Sequence, residues 1–370
     1  KETKAGRVSM QDLMNLVNKK AGRHVAHDLT GENPTEVKEW ISTGSRWLDS
    51  IVCKGQVAGI PVGKVSELAG LTSTGKSYMA AQIAANAQKQ GKIVVYFDSE
   101  SAIDPDFLER AGCDLGRLMY IQATSVEFVL ETIEELLGAS DDQLLFIWDS
   151  LAFTPSVSDV EGDFNPQSSM AVKARILAKG MSKLVIPIAD KQATLLVLNQ
   201  LKTNIPSGPN ARIIAMTTPY MTPGGKALHY SYSLRIWLTG RKAKTAFVED
   251  EKGFRIGSEV KAKIEKSRFG TQGRNCAFRI LWGTEDVGIN DEESWFDAVK
   301  SSEYLKSAGS WYTLEMPDGY TKKFQPSRWA EVIKTDEEFR AKIVQLMDEE
   351  VVQKFDKRVG KAEDFYTEPG

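Results

Sequence analysis

Residues 64–91 read KVSELAGLTSTGKSYMAAQIAANAQKQG, and this stretch decides the architecture. A run of strand length leads into GLTSTGKS at 70–77, which has the spacing GxxxxGK[ST]. A helical segment that ends at Gly91 follows. A glycine-rich turn between strand and helix leaves backbone N–H groups at the positive end of the helix, where phosphate oxygens bind. Gly70 and Gly75 let the backbone wrap the phosphates, with Leu71, Thr72, Ser73, Thr74 and Tyr78 completing the expected nucleotide-binding set. Lys76 is expected to reach the β- and γ-phosphates, and the Ser77 hydroxyl to ligate Mg²⁺. ATP and Mg²⁺ are therefore the expected cofactors.

Working outward, strand-like and helix-like segments alternate. KIVVYFD is a buried strand, DPDFLERAG a short helix opened by Asp104–Pro105, and RLMYIQ a strand. SVEFVLETIEELLG is a helix capped by Ser125, QLLFIWD another buried strand, about 169–190 a long helix, and ATLLVLNQ the next strand. Strands this apolar, separated by helices, predict a mostly parallel sheet covered on both faces. After residue 230 the segments SLRIWLTGR, SEVKAKIEKSR and CAFRILWG predict an antiparallel extension. The expected fold is thus α/β, a phosphate-loop NTPase core with an N-terminal helical appendage and a small C-terminal α/β domain. Its expected boundaries are 1–40 for the appendage, 41–284 for the core, 285–357 for the C-terminal domain and 358–370 for a tail. The C-terminal part is expected to hold the hairpin GSWYTLEMPDGYTKKF and a final charged helix at 335–357.

The 370 residues are 42% hydrophobic and 26% charged, the balance of an ordinary globular chain. With a net charge of −3, nucleic-acid binding would have to come from local patches. Cys53, Cys113 and Cys276 lack a CxxC spacing, which suits a reducing compartment. His24, His27 and His229 form no zinc pattern. The absence of an apolar span of about 18 residues argues against a transmembrane helix. The first residues carry no apolar signal core. The expected location is the cytoplasm, with no membrane partner.

Two acidic strand ends add chemistry. Asp149 closes the apolar run LLFIWD, where a carboxylate suits an outer-sphere partner of Mg²⁺ better than a core position. A plain strand-end turn is the alternative. VYFDSES places Asp98 and Glu100 at the end of the strand after the phosphate loop, and Glu100 is positioned to act as base or orienter for water. A solvated loop acid is the alternative there.

WISTGSRWLDSIV, the phosphate loop, FDSESAIDPDFLERAG, LLFIWDSLAFTP, LLVLNQLK, TPGGKALHYSYSLRI and INDEESWFDAVK follow one another in an order that resembles the RecA family of homologous-recombination ATPases. The resemblance covers roughly residues 37–330. KIEKSR and VKARILAKGMSKLVIPIA resemble the UvsX-type recombinases of bacteriophages. The resemblance implies a RecA-like core with Glu100 as catalytic glutamate and Asp149 as the Mg²⁺-linked aspartate. It implies that Asp104 and Phe107 contact adenine and that Gln200 senses the γ-phosphate. It also implies that Lys266 and Arg268 cross to a neighbouring subunit's ATP, where two cations would stabilise transition-state charge. From composition alone, those two would be charges on a solvated strand. One departure stands out. The family commonly has an aromatic residue and a glycine after GIN, whereas this chain reads GINDEES at 288–294.

Two long segments follow the carboxyl edge of the sheet, PSVSDVEGDFNPQSS at 155–169 and LKTNIPSGPNARIIAMTTPYMTPGG at 201–225. The resemblance implies that both hold single-stranded DNA, with Met170 and Ile205 as apolar wedges between bases. Lys173, Arg175, Lys202, Arg212 and Lys226 are the candidate cations, and Gly224 and Gly225 offer backbone N–H groups. The first segment is acidic, with Asp159, Glu161 and Asp163, and attracts no phosphate by itself. GYTKKFQPSRW, with Lys322, Lys323 and Arg328, is a candidate secondary site for double-stranded DNA, and equally a surface hairpin.

The expectation is a DNA-dependent ATPase that self-assembles head to tail into a helical filament on single-stranded DNA and exchanges strands. A ring helicase on the same core and an accessory protein that uses ATP only as a switch are the rivals.

Overall fold

The computed structural model describes residues 8–22, 24–28, 35–162, 170–240, 246–283 and 287–354. The chain divides into two compact units, Lys1–Lys38 and Glu39–Gly370. The expected tail at 358–370, Asp163 with the rest of 163–169, and the side chains of Met170 and Lys226 lie outside the described residues.

In the first unit, α1 (Met10–Ala21) begins at a capping box. The Ser9 hydroxyl accepts from the Asp12 N–H, and the Asp12 carboxylate accepts from the Ser9 N–H. It ends at Gly22 with φ of 65°, and none of its residues is buried.

The second unit opens with a short antiparallel pair, β1 (Trp40–Ile41) and β2 (Ile60–Pro61), joined through α2 (Arg46–Val52). Strands and helices then alternate as β3 (Val65–Gly70), α3 (Lys76–Lys89), β4 (Ile93–Asp98), α4 (Pro105–Arg110), β5 (Leu118–Gln122), α5 (Val126–Ala139) and β6 (Leu144–Asp149). The short α6 (Val157–Glu161), the long α7 (Met170–Asp190) and β7 (Thr194–Gln200) follow. Next come β8 (Lys202–Thr203), α8 (Ala211–Thr217), β9 (Tyr220–Met221), α9 (Lys226–Ser231) and β10 (Leu234–Gly240). The extension is β11 (Phe247–Glu249), β12 (Arg255–Ser267), β13 (Asn275–Leu281) and β14 (Gly288–Asn290).

The large sheet has the order β14-β13-β12-β10-β3-β7-β6-β4-β5, with β11 on β12. From β10 to β5 the neighbours are parallel, and from β10 to β14 they are antiparallel. The side-chain period of two divides the parallel strands between two cores. Leu68, Val94, Tyr96, Leu145, Ile147, Leu196 and Leu198 face α3, while Val95, Phe97, Phe146, Trp148, Leu195 and Val197 face α5 and α7. Strands buried on both faces explain the continuous apolar runs.

The C-terminal part contains α10 (Trp295–Val299), the antiparallel sheet β15 (Leu305–Ala308), β16 (Trp311–Glu315) and β17 (Thr321–Phe324), then α11 (Trp329–Thr335) and α12 (Glu337–Leu346). Its aromatic residues Phe324, Trp329 and Phe339 belong to the same apolar cluster as α2 and α3. β14 lies beyond the expected boundary at 284/285 and pairs with β13, so the large sheet continues to Asn290. The helix expected over 335–357 is shorter. It stops at Leu346 and passes into one π turn over Met347–Val351.

Candidate functional site

The ends of β3, β4, β6 and β7 meet at one edge of the sheet. Asp98 lies opposite Asp149, and Gly70 opposite Gln200. A cavity of about 210 Å³ opens there, lined by Thr72, Ser73, Lys76, Ser77, Asp98, Glu100, Ile103, Phe107, Asp149, Ser150 and Gln200, with Ala102. Parallel pairing thus gathers residues that lie far apart in the chain.

At Gly75 the backbone takes φ of 80° and caps α3, and a Cβ there would stand 2.4 Å from Ile280 Cδ1. The Lys76 ammonium donates to the Gly70 and Leu71 carbonyls at 3.3 and 3.1 Å. Burial pushes its pKa down, while Asp149 and Glu100 hold it up. The Ser77 hydroxyl donates to Asp149 at 3.0 Å, and the buried Tyr96 hydroxyl donates to the same carboxylate oxygen at 2.8 Å. Burial raises the Asp149 pKa, opposed by these two donors. A carboxylate and a hydroxyl fixed together beside a lysine, at the N-terminus of a 14-residue helix, fit a magnesium-bound nucleoside triphosphate.

Glu100 stands on a turn that Asp98 organises. The Asp98 carboxylate accepts from the backbone N–H groups of Glu100, Ala102 and Ile103 and from the Tyr120 hydroxyl. Its lone pairs are committed, which leaves Glu100 as the acid presented to the cavity. The Ser150 hydroxyl donates to Glu100 Oε1 at 3.0 Å. Tyr96, Ser150 and Tyr120 are not singled out by the sequence, since strand pairing is what brings Tyr96 to Asp149, Ser150 to Glu100 and Tyr120 to Asp98.

One flank of the site is aromatic. Tyr78 and Phe107 meet edge to face with centroids 4.6 Å apart, and Trp282 stands 6.1 Å from Tyr78. Trp282 lines a neighbouring cavity of about 290 Å³ with Ser73–Tyr78, and was also missed. Asp104 is not among the residues lining either cavity. Its carboxylate caps α4 by accepting from the Asp106 N–H at 3.0 Å. The GINDEES departure has a structural role. Asp291 is 5% exposed and accepts from the Ser45 hydroxyl and the Trp47 N–H, both at 2.9 Å, tying β14 to the start of α2.

The model of the RecA N-terminal domain family matches residues 8–289, well over half of the chain. The chain belongs to the RecA family. Its relatives include Protein RecA of Colwellia psychrerythraea, 30% identical over 283 residues that cover 76% of each chain. Protein RecA of Fusobacterium nucleatum is 32% identical over 308 residues, covering 83% of this chain and 75% of the relative. Protein RecA of Bifidobacterium breve is 29% identical over 311 residues, covering 84% and 74%. Membership in the RecA family makes this chain a DNA-dependent ATPase.

The DNA candidates of this RecA-family chain separate sharply. Lys202 and Arg212 are exposed, and so is Arg175. Lys173 is not a free cation. Its ammonium turns inward and donates to the carbonyls of Leu151, Ala152 and Thr154 at 3.0, 3.2 and 2.5 Å. The long loop expected at 201–225 is partly ordered. β8 and β9 form its stem, with Lys202 opposite Met221, and α8 lies within the intervening segment. Ile205 is 87% exposed, and Ile213 and Met216 are also exposed. Gly224 has φ of 110°, and a Cβ there would stand 2.5 Å from Leu228 Cδ2, so packing demands this glycine. Gly225 has φ of 83° and precedes α9.

Lys266 and Arg268 do not line the cavity of their own chain. They lie together at the end of α9. Lys266 Nζ donates to the His229 carbonyl at 2.7 Å and Arg268 donates to the Tyr230 carbonyl at 2.8 Å. In the C-terminal part, Lys323 lies over the Trp311 ring at 5.0 Å, Lys322 pairs with Asp336 and Arg328 with Glu331. Among the described residues no helix is long and apolar enough to cross a membrane.

Proposed function

We propose that this RecA-family ATPase assembles head to tail on single-stranded DNA as an open helical filament and exchanges strands with a homologous duplex. The observation that carries the reading is the shared position of Glu100 and Gln200. Both line the phosphate-loop cavity, and Gln200 leads within two residues into the stem of the 204–219 segment. Occupancy of the cavity can therefore be felt at the segment that presents Ile205, Lys202 and Arg212.

Thr72, Ser73, Lys76 and the N-terminus of α3 hold the triphosphate, and Ser77 with Asp149 would hold Mg²⁺. Mg²⁺, when bound there, would neutralise charge on the phosphate oxygens. One Glu100 oxygen is held by Ser150, and the other accepts the proton of the attacking water. Phe107, Tyr78 and Trp282 offer stacking area to the base. Lys266 and Arg268 complete the site of the next subunit, which a heterologous, non-closing interface repeats along the filament. Glu100, Gln200 and the paired cations act together, so hydrolysis loosens the interface and releases DNA. Lys322, Lys323 and Arg328 are assigned to capture of duplex DNA. The chain is read as cytoplasmic, with the UvsX-type phage recombinases as its branch of the family.

Electron microscopy with ATP, Mg²⁺ and single-stranded DNA tests the assembly. Extended helical filaments are expected, and closed hexameric rings alone would overturn the reading in favour of a helicase.

A further inference from the structure

Behind Gln200 the sheet contains an ion pair that the nucleotide cavity does not use. Glu67 of β3 and Arg235 of β10 are register partners, 1% and 6% exposed. Arg235 Nε donates to Glu67 Oε2 at 2.6 Å. Attraction between two desolvated charges does not reliably repay their loss of water, so such a pair persists when neighbours satisfy its remaining atoms. Here the neighbours lead in two directions. Asn199, fully buried, donates its amide to Glu67 Oε1 at 3.0 Å and to the Pro223 carbonyl at 3.1 Å, and its Oδ1 accepts from the Gln200 N–H at 3.0 Å. On the other side, Arg235 donates to the Thr222 hydroxyl at 2.9 Å, and that hydroxyl meets His229 Nε2 at 3.0 Å. Burial, with Arg235 and Lys266 nearby, pushes the His229 pKa down to about 4, so the ring is neutral at pH 7 and Nε2 can accept. The carbonyls of His229 and Tyr230 then hold Lys266 and Arg268.

A continuous polar path therefore runs from the backbone of Gln200 to the two cations, touching the root of the 201–225 segment at Thr222 and Pro223. Its central links, Asn199 to Glu67, Glu67 to Arg235 and Arg235 to Thr222, are buried, so displacing one end without the other leaves a polar group unpaired. We propose that Asn199, Glu67, Arg235 and Thr222 are positioning residues that make Gln200, the loop root and the Lys266–Arg268 pair shift together, and so set the coupling between DNA binding and ATP turnover. This rests on the reading that the two are coupled in this chain.

Spatial continuity alone does not establish coupling, so the test measures it. Thr222→Val keeps the shape and removes the hydroxyl. In the full-length chain, affinity for a fluorescent ATP analogue and turnover without DNA should stay within about twofold, while stimulation by an oligo-dT strand falls by about tenfold. Thr222→Ser should restore stimulation. In a Gln200→Ala background, Thr222→Val should add nothing, because one path is already cut. Wild-type stimulation in Thr222→Val, a Ser variant as poor as Val, or a parallel loss of ATP affinity and stimulation would overturn the relay. Absence of stimulation in the wild-type chain would overturn the coupled reading of function as well, which separates the two failures.

Discussion

At the phosphate loop, Lys76, Ser77 and Asp149 are each held by a named hydrogen bond, and the strands beneath them are buried on both faces. Five residues beyond Gln200, Ile205 stands 87% exposed, and α8 has no buried residue. The first region is held in a fixed geometry that suits a compact, charged ligand. The second holds the apolar side chains of Ile205, Ile213 and Met216 in water, where a ligand could cover them. The difference separates chemistry, which needs fixed geometry, from recognition of a long polymer, which needs reach.

The largest test of this contrast is Glu100→Gln. Hydrolysis should fall roughly 10²–10⁴-fold, the usual worth of a general base, with ATP affinity retained. Turnover at the wild-type rate would remove Glu100 from its role and blur the distinction between the regions. Next, Lys173→Ala should behave as a change in the rigid region although in sequence it lies beside a candidate DNA segment. It strands three carbonyls, so unfolding free energy should drop by about 1–3 kcal/mol while the salt dependence of single-strand binding stays unchanged. A shallower salt slope with unaltered stability would return Lys173 to the DNA-binding set.

Lys202→Ala should do the opposite. The slope of log affinity against log salt should become shallower by about 0.7, the worth of one phosphate contact on a single strand, and thermal unfolding should not move. No change in slope would show that Lys202 meets no phosphate. The smallest effect on the fold belongs to Ile205→Ala. Stability should change by less than about 0.5 kcal/mol, as at other exposed positions, while single-strand affinity weakens. A clear loss of melting temperature would mean that the side chain is packed in solution and that the contrast fails at its sharpest point.

Much of the nucleotide site could be read from the chain because its residues belong to contiguous motifs. GLTSTGKS and DSE each mark a strand end, and parallel strands bring their carboxyl ends to one edge. Phe107 follows for the same reason, sitting on the short helix after β4. Asp104 was read with it, yet at the N-cap its carboxylate is more useful to the helix than to a ligand. Trp282 was illegible because it arrives from β13, across the antiparallel extension, with no local pattern to announce it. Lys173 misled because a lysine beside a loop looks the same in sequence whether it points outward or closes a turn.

The amino-acid sequence by itself determined the period and order of the elements, the phosphate loop and the acids at the strand ends, since all of these follow from local spacing. Tertiary structure alone decided which polar groups share a partner. It set Asp98 to fix the turn of Glu100, Asp291 to cap α2, and Glu67 with Arg235 to join Asn199 to Thr222. Hydrogen bonds between residues far apart in the chain depend on strand order and register, and neither is written in any one segment.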